Sequence, residues 1–311
     1  MRKTLILTTL TLTTLATAAL AQLTGVKGIV GNKLDNAVED HNQAVNDAIN
    51  GTDNKPQSQA LPPQPGELKT GWITRKSKGV GKDVKDVRLY FAYPATLTKA
   101  KPTHALLVIQ EWWGVNDDIQ QRTQEFARKG IYAIAPDLYY GKTTDDPTEA
   151  AKLKDAMTDP NALTAMKTAL DLTDEETKNG VIMSEHVGVI GWCMGGQQAL
   201  ILATTDPRIH ATCIFYGPLI TDQRKLNTLQ GPLLGIFGNS DTAPSQDDVN
   251  KFEAALKANR KSDFRIVRYD GVGHAFASKS AEKLGLYNPE KAALAWSETW
   301  SWIDQRFMGK K

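Results

Sequence analysis

The chain has few cysteines and few histidines: two and five among 311 residues. Charge of one sign is also missing, since 37 basic and 35 acidic side chains leave a formal net charge of +2. That balance is spread along the sequence, so no basic stripe points to nucleic acid. Long apolar runs are absent too, and with them any stretch fit to cross a membrane. The Leu- and Thr-rich run after Arg2 and Lys3 is too short and too polar for a stable span, and it reads as a signal peptide over residues 1–21. Ala19-Leu20-Ala21 is its A-x-A cleavage site before Gln22, and no cysteine follows to carry a lipid anchor. The expected compartment is periplasmic or extracellular. Two cysteines in an exported chain invite a disulfide. Cys213, however, sits inside the strand Ala211 to Tyr216, whereas Cys193 lies beyond the end of a neighbouring one. Their Cα atoms should then be on the order of 10 Å apart, too far for a disulfide, and Cys213 reads as a buried apolar filler.

Residues 22–66 form an N-terminal extension. Ala37, Val38, Ala44, Val45, Ala48 and Ile49 make one narrow helical stripe, either a marginal helix or a docking segment, and Pro56, Pro62, Pro63 and Pro65 mark an extended linker. Residues 67–311 form one α/β domain. After two N-terminal strands around Trp72 and Arg88 to Tyr93, apolar strands recur near positions 105, 131, 187, 212, 233 and 264. Helical patterns lie between them at 117–129, 148–177, 196–204 and 247–259, and a last helix runs over 289–307. This alternation predicts a mostly parallel sheet covered on both faces. Asp146-Pro147 and Asp159-Pro160 break the long helical stretch, which would shape one side of a pocket.

The most informative segment is Val187 to Leu200, an apolar strand running through Gly191-Trp192-Cys193-Met194-Gly195 into a helix. It has the form of a nucleophile elbow with cysteine at the turn. Glycine at 191 and 195 lets strand and helix cross closely, and the following helix N-terminus favours a thiolate and a developing oxyanion. The alternative is an inert thiol in a packing turn. A base and an orienting acid follow in the order an α/β-hydrolase requires. The strand Pro232 to Gly238 leads into Asp241, and the strand Phe264 to Tyr269 leads into His274. Cys193, Asp241 and His274 would therefore meet at the carboxyl ends of successive strands. His104, His186 and His210 read as exposed loop or strand-edge residues, and His41 lies outside the globular region.

The motifs GWCMGG around Cys193, GNSD ending in Asp241, GHAF beginning at Gly273, and Gln110-Glu111-Trp112-Trp113-Gly114-Val115-Asn116 together resemble the dienelactone hydrolase family over about Gly71 to Phe307. The resemblance implies an α/β-hydrolase fold and a hydrolase needing no cofactor or metal. It implies that the resting Cys193 thiol is held neutral by contact with Glu111, whose carboxylate substrate displaces to take the thiol proton. A free thiol is only a few per cent ionised at neutral pH, so such control has a chemical purpose. A surface glutamate paired with an arginine is the alternative for Glu111. The backbone N–H groups of Trp112 and Met194 are the expected oxyanion donors. Trp113, Tyr139, Lys142, Tyr216 and Phe276 are candidate substrate contacts, with Trp113 as an apolar wall or as packing beneath a loop.

The sequence departs from the family where two arginines grip the carboxylate of a dienelactone. Gly141 and Ser278 stand at those positions, and Ala275 stands where serine is common. Lys142 and Lys279 are each one residue displaced, and a lysine cannot reproduce a bidentate fork. The expected substrate is a small ester or lactone, with a broad carboxylesterase or thioesterase as the alternative. The rival from another class is a non-catalytic binding scaffold, and the expected assembly is a monomer or small homo-oligomer.

Overall fold

The computed structural model describes residues 66–78, 84–258 and 263–309. The expected signal peptide, and the extension apart from Gly66, lie outside them. All the elements below belong to the second of the chain's two units, Pro62–Lys311.

Eight strands form one sheet: β1 (Leu68–Lys76), β2 (Asp86–Pro94), β3 (Thr103–Ile109), β4 (Tyr132–Pro136), β5 (Ile182–Trp192), β6 (Ala211–Phe215), β7 (Leu233–Gly238) and β8 (Phe264–Tyr269). Their spatial order is β1-β2-β4-β3-β5-β6-β7-β8. β2 runs antiparallel to both its neighbours, and the other pairings are parallel. The sequence explains the centre of the sheet directly. β3, β4, β6 and β7 are buried at every position, as strands covered on both faces must be, and they are correspondingly apolar runs without alternation. β1 at one edge is mostly exposed and carries Lys, Thr and Arg, which discourages pairing with another chain.

The helices are α1 (Asp117–Arg128), α2 (Pro147–Ala156), α3 (Asp159–Lys178), α4 (Met194–Thr205), the single turn α5 (Gln223–Leu226), α6 (Gln246–Ala258) and α7 (Pro289–Trp302). A 3-10 segment covers Lys279–Leu284, and a π turn, Ile303–Phe307, closes the chain where one continuous helix was expected. α1, α7 and the π turn pack on one face of the sheet; α3, α4 and α6 pack on the other. The long helical stretch divides as its Asp-Pro pairs predict. Asp146 caps α2 by accepting from Thr148 N and Glu149 N, with Pro147 in the first turn, and Thr158 caps α3 with Pro160 behind it.

Both cysteines are free. Cys213 is buried on β6, and burial pushes its thiol pKa up. His104 is not an exposed strand-edge residue. It is buried on β3 with its ring edge-on to His186 and Phe307 at 4.4 and 4.9 Å, because the C-terminal π turn folds over this end of the sheet. Among the described residues no helix is long and apolar enough to cross a membrane.

Candidate active site

The carboxyl ends of β3, β5, β7 and β8 converge on Cys193. β5 ends at Trp192, the chain turns at Cys193 with φ 54° and ψ −123°, and α4 begins at the next residue. An L-residue holds such a conformation only where its surroundings dictate it. Here they do: a Cβ on Gly191 would lie 2.1 Å from the Gly195 carbonyl oxygen, and one on Gly195 would lie 2.3 Å from that of Gln110. The two glycines let α4 start against β3 and β5, and the turn between them lifts the thiol out of the sheet.

The structure brings Cys193, His274 and Asp241 together. His274 Nε2 is 3.0 Å from Cys193 Sγ, and Nδ1 is 2.9 Å from Asp241 Oδ2. Asp241 is nearly buried, and its other oxygen accepts from Ala243 N at 2.9 Å, which fixes the carboxylate. Burial pushes the imidazole towards its neutral form, but the hydrogen bonds to Asp241 and Cys193 outweigh it and raise the His274 pKa to about 10. The protonated ring is thus favoured at neutral pH. Neither Trp112 nor Met194 spends its backbone N–H on a hydrogen bond among the described residues. Trp112 lies in the turn after β3 and Met194 opens α4, so two unpaired donors stand on either side of the elbow.

Glu111 is buried beside this group, yet its hydrogen bonds differ from those expected. Its carboxylate accepts from Ser278 Oγ at 2.5 Å and from Tyr216 Oη at 3.3 Å, while the Cys193 thiol is held by His274. No hydrogen bond joins Glu111 to Cys193; the carboxylate is held by the two hydroxyls instead. Burial raises the Glu111 pKa, opposed by the Arg122 guanidinium and the Ser278 hydrogen bond. Nor is this a surface glutamate. Arg122 is itself 4% exposed, donates to Asp118 Oδ2 at 2.7 Å and to the Ala277 carbonyl, and lies 4.4 Å over the Trp192 ring. Ser278, at a position where the family has arginine, serves here as a partner of Glu111.

Two cavities open on Cys193 and His274. The smaller, of about 200 Å³, is walled by Trp112, Trp113, Ala275, Ala281, Leu284 and Leu286, with Glu111 and Lys154 at its margins. The larger, of about 480 Å³, lies over Met194, Gln197 and Thr242 and is bounded by Lys154, Met157 and Asp159. Those last three residues stand at the α2–α3 break, where the Asp-Pro signal placed a pocket wall. Trp113 is a wall residue and is also buried, with Trp112 edge-on to it at 4.9 Å.

The other expected substrate contacts lie elsewhere. Tyr139 is buried behind the elbow, its hydroxyl 3.3 Å from Met194 Sδ. Tyr216 and Phe276 are fully buried; Tyr216 holds Glu111 and packs 5.3 Å from the His274 ring, and Phe276 packs on Tyr216 and Tyr269. All three aromatic rings face the core, where their apolar area is worth most. Lys142 is exposed and lines neither cavity; Lys279 lines a separate cavity beside Trp296. The sequence reading missed Lys154, Met157, Ala281, Leu284 and Leu286. The Asp-Pro pairs had marked the first two only as a wall, and the signal for the last three was the pair of leucines flanking Gly285 in an otherwise polar stretch.

A family model described as the dienelactone hydrolase family matches residues 90–307. The chain belongs to the dienelactone hydrolase family. A Salmonella typhimurium protein named "Putative carboxymethylenebutenolidase" is 29% identical to this dienelactone hydrolase relative over 242 residues, which cover 73% of this chain and 85% of that protein. "Protein usf" of Aquifex pyrophilus is 33% identical over 208 residues, covering 62% and 84%. The crystal structure titled a putative dienelactone hydrolase from Klebsiella pneumoniae superposes with a TM-score of 0.60 at 25% identity, covering 76% of this chain and 99% of that one. This member of the family is accordingly an α/β-hydrolase-fold enzyme and a hydrolase of the dienelactone hydrolase type. Among the described residues no group of His, Cys, Asp or Glu is arranged to hold a metal ion.

Proposed function

We propose that this enzyme cleaves a carboxylic ester or lactone through a cysteine nucleophile. The observation that carries the reading is the chain of contacts from Asp241 through His274 to the Cys193 sulfur, at 2.9 and 3.0 Å. His274 Nε2 takes the proton of the Cys193 thiol, and Sγ of the resulting imidazolium–thiolate pair attacks the carbonyl carbon. The N–H groups of Trp112 and Met194 receive the charge on the carbonyl oxygen. The tetrahedral adduct collapses, the C–O bond to the alcohol breaks, and the leaving oxygen takes the proton from His274 Nε2. The neutral imidazole then removes a proton from water, which attacks the thioester and frees the acid. Asp241 holds the ring oriented through both steps.

Glu111 controls the charge of this group. Burial favours its protonated carboxyl, and the Arg122 guanidinium and the Ser278 hydrogen bond oppose that, so the charge beside the elbow depends on what surrounds Glu111. Substrate entering the smaller cavity meets Glu111 and changes its surroundings. A dienelactone is not the favoured substrate, because Gly141 and Ser278 provide no guanidinium and Ser278 is engaged with Glu111.

Hydrolysis of p-nitrophenyl acetate, butyrate and a cis-dienelactone, measured for the wild type and Cys193→Ala, tests the reading. Ester turnover that disappears in the variant supports it. Turnover that survives the substitution, or a dienelactone rate far above that of the esters, overturns the mechanism or the substrate assignment respectively.

A further inference from the structure

The two cavities at Cys193 differ in chemistry. The larger sets Gln197, Thr242 and Asp159 among Met157, Met194 and Pro218, whereas the smaller has walls of two indoles, two alanines and two leucines around Glu111, Lys154, Cys193 and His274. Leu284 and Leu286 are 41% and 42% exposed, among the few large apolar side chains left open to solvent. Their exposure has a local cause. The 3-10 segment Lys279–Leu284 ends at Gly285, whose φ of 68° turns the chain so that Leu286 N returns to the Ala281 carbonyl. A Cβ at Gly285 would meet nothing within 4 Å, so the backbone conformation explains the glycine, and its effect is to set both leucines at the same cavity mouth. The segment is anchored from behind: Ser278 donates to Glu111, and Asn116 Nδ2 donates to Ser280 Oγ at 3.1 Å.

We infer that the Leu284-Gly285-Leu286 turn, with Trp112 and Trp113, is a specificity pocket that receives an apolar substituent of phenyl or hexyl size beside the scissile carbonyl. Size supports the class of ligand. A dry cavity of roughly 150 Å³ accommodates benzene, and this one measures about 200 Å³. Two leucines exposed to water gain transfer free energy when such a group covers them. The inference rests on the proposed reaction, since it names what that site selects.

The test uses the full-length protein, two ester series and one unreactive ligand. Acyl length is varied from acetate to octanoate in p-nitrophenyl esters, and the alcohol is varied from methyl to benzyl in acetates. In one series kcat/KM should rise about tenfold on reaching a six-carbon or phenyl group, as burial of about two methylenes predicts, the others staying in water at the open mouth. Leu284→Ser and Leu286→Ser should bring that ratio close to unity, and Leu286→Trp, which fills the mouth, should invert it. These positions are half exposed, so the variants should fold. Binding of benzyl methyl ketone, followed calorimetrically, should weaken at least fivefold in both serine variants. Flat profiles in both series, or a preference and ketone affinity unchanged by the serine variants, overturn the pocket. If Cys193→Ala leaves all ester turnover intact, the reaction assignment fails, and the ketone titration alone decides the pocket: weakened binding in the variants supports it, and absent or unchanged binding overturns it.

Discussion

At the scale of single residues, the site turns on the protonation of one imidazole. The folded-state pKa of His274, about 10, lies above the roughly 6.5 of a free histidine, so its protonation stabilises the fold fully below the lower value. That contribution drains away as pH climbs through the higher one. The melting temperature of the wild type relative to His274→Gln should therefore fall between pH 7 and pH 10, measured by scanning calorimetry. A second consequence concerns rate. The kcat/KM profile should show its alkaline limb near pH 10, and Asp241→Asn, which removes a charge favouring the imidazolium, should move the limb downward. An unmoved limb would mean that another group titrates there. Loss of the sulfur in Cys193→Ala should cost ~10³-fold or more in kcat, the scale of removing a nucleophile.

Cys193, Asp241 and His274 were legible because each follows an apolar strand, and strand ends are where a parallel sheet gathers side chains. The aromatic candidates were not. Tyr139, Tyr216 and Phe276 adjoin the same motifs, but adjacency in sequence does not say whether a ring points to the cavity or the core. Tyr216, with φ 36°, is turned inward by a backbone conformation that no sequence pattern announces. Glu111 was found by its motif, and its partners were hidden because Ser278 and Tyr216 arrive from distant loops.

At the scale of elements, α1 and the 3-10 segment are joined by Asn116. Its side chain caps α1 by accepting from Ile119 N and donates to Ser280 across the loop. Asn116→Ala should cost about 1–2 kcal/mol in chemical denaturation, the upper end of a cap loss because a tertiary bond goes with it. An effect within error would show that the cap is solvent-replaceable. The central strands were readable from composition, and the division between α2 and α3 from the Asp-Pro pairs. The single turn α5 and the segment Lys279–Leu284 were not, since so few residues carry no period. The 3-10 segment therefore escaped notice as a pocket wall: it meets α2 and the Trp112 turn only through tertiary packing.

For the whole molecule, the decisive contact is between the chain's end and the middle of its sheet. Phe307 packs on Gly188 of β5 and edge-on to His104 of β3, 4.9 Å between ring centroids. Phe307→Ala should lower stability by about 3–5 kcal/mol, the usual cost of emptying a buried phenylalanine site. Urea titration followed by tryptophan fluorescence measures this, and a loss under 1 kcal/mol would show that the π turn is dispensable.

The separation of the site residues along the chain also has a timetable. Cys193 and His274 are 81 positions apart, which at 5–20 residues per second is roughly 4–16 s of synthesis. For that interval the newborn polypeptide carries its sulfur with no imidazole beside it, and the last helix that buttresses the sheet is made later still. Under the proposed mechanism, ester cleavage waits until position 274 has been made, and a ribosome stalled before it carries an inert precursor.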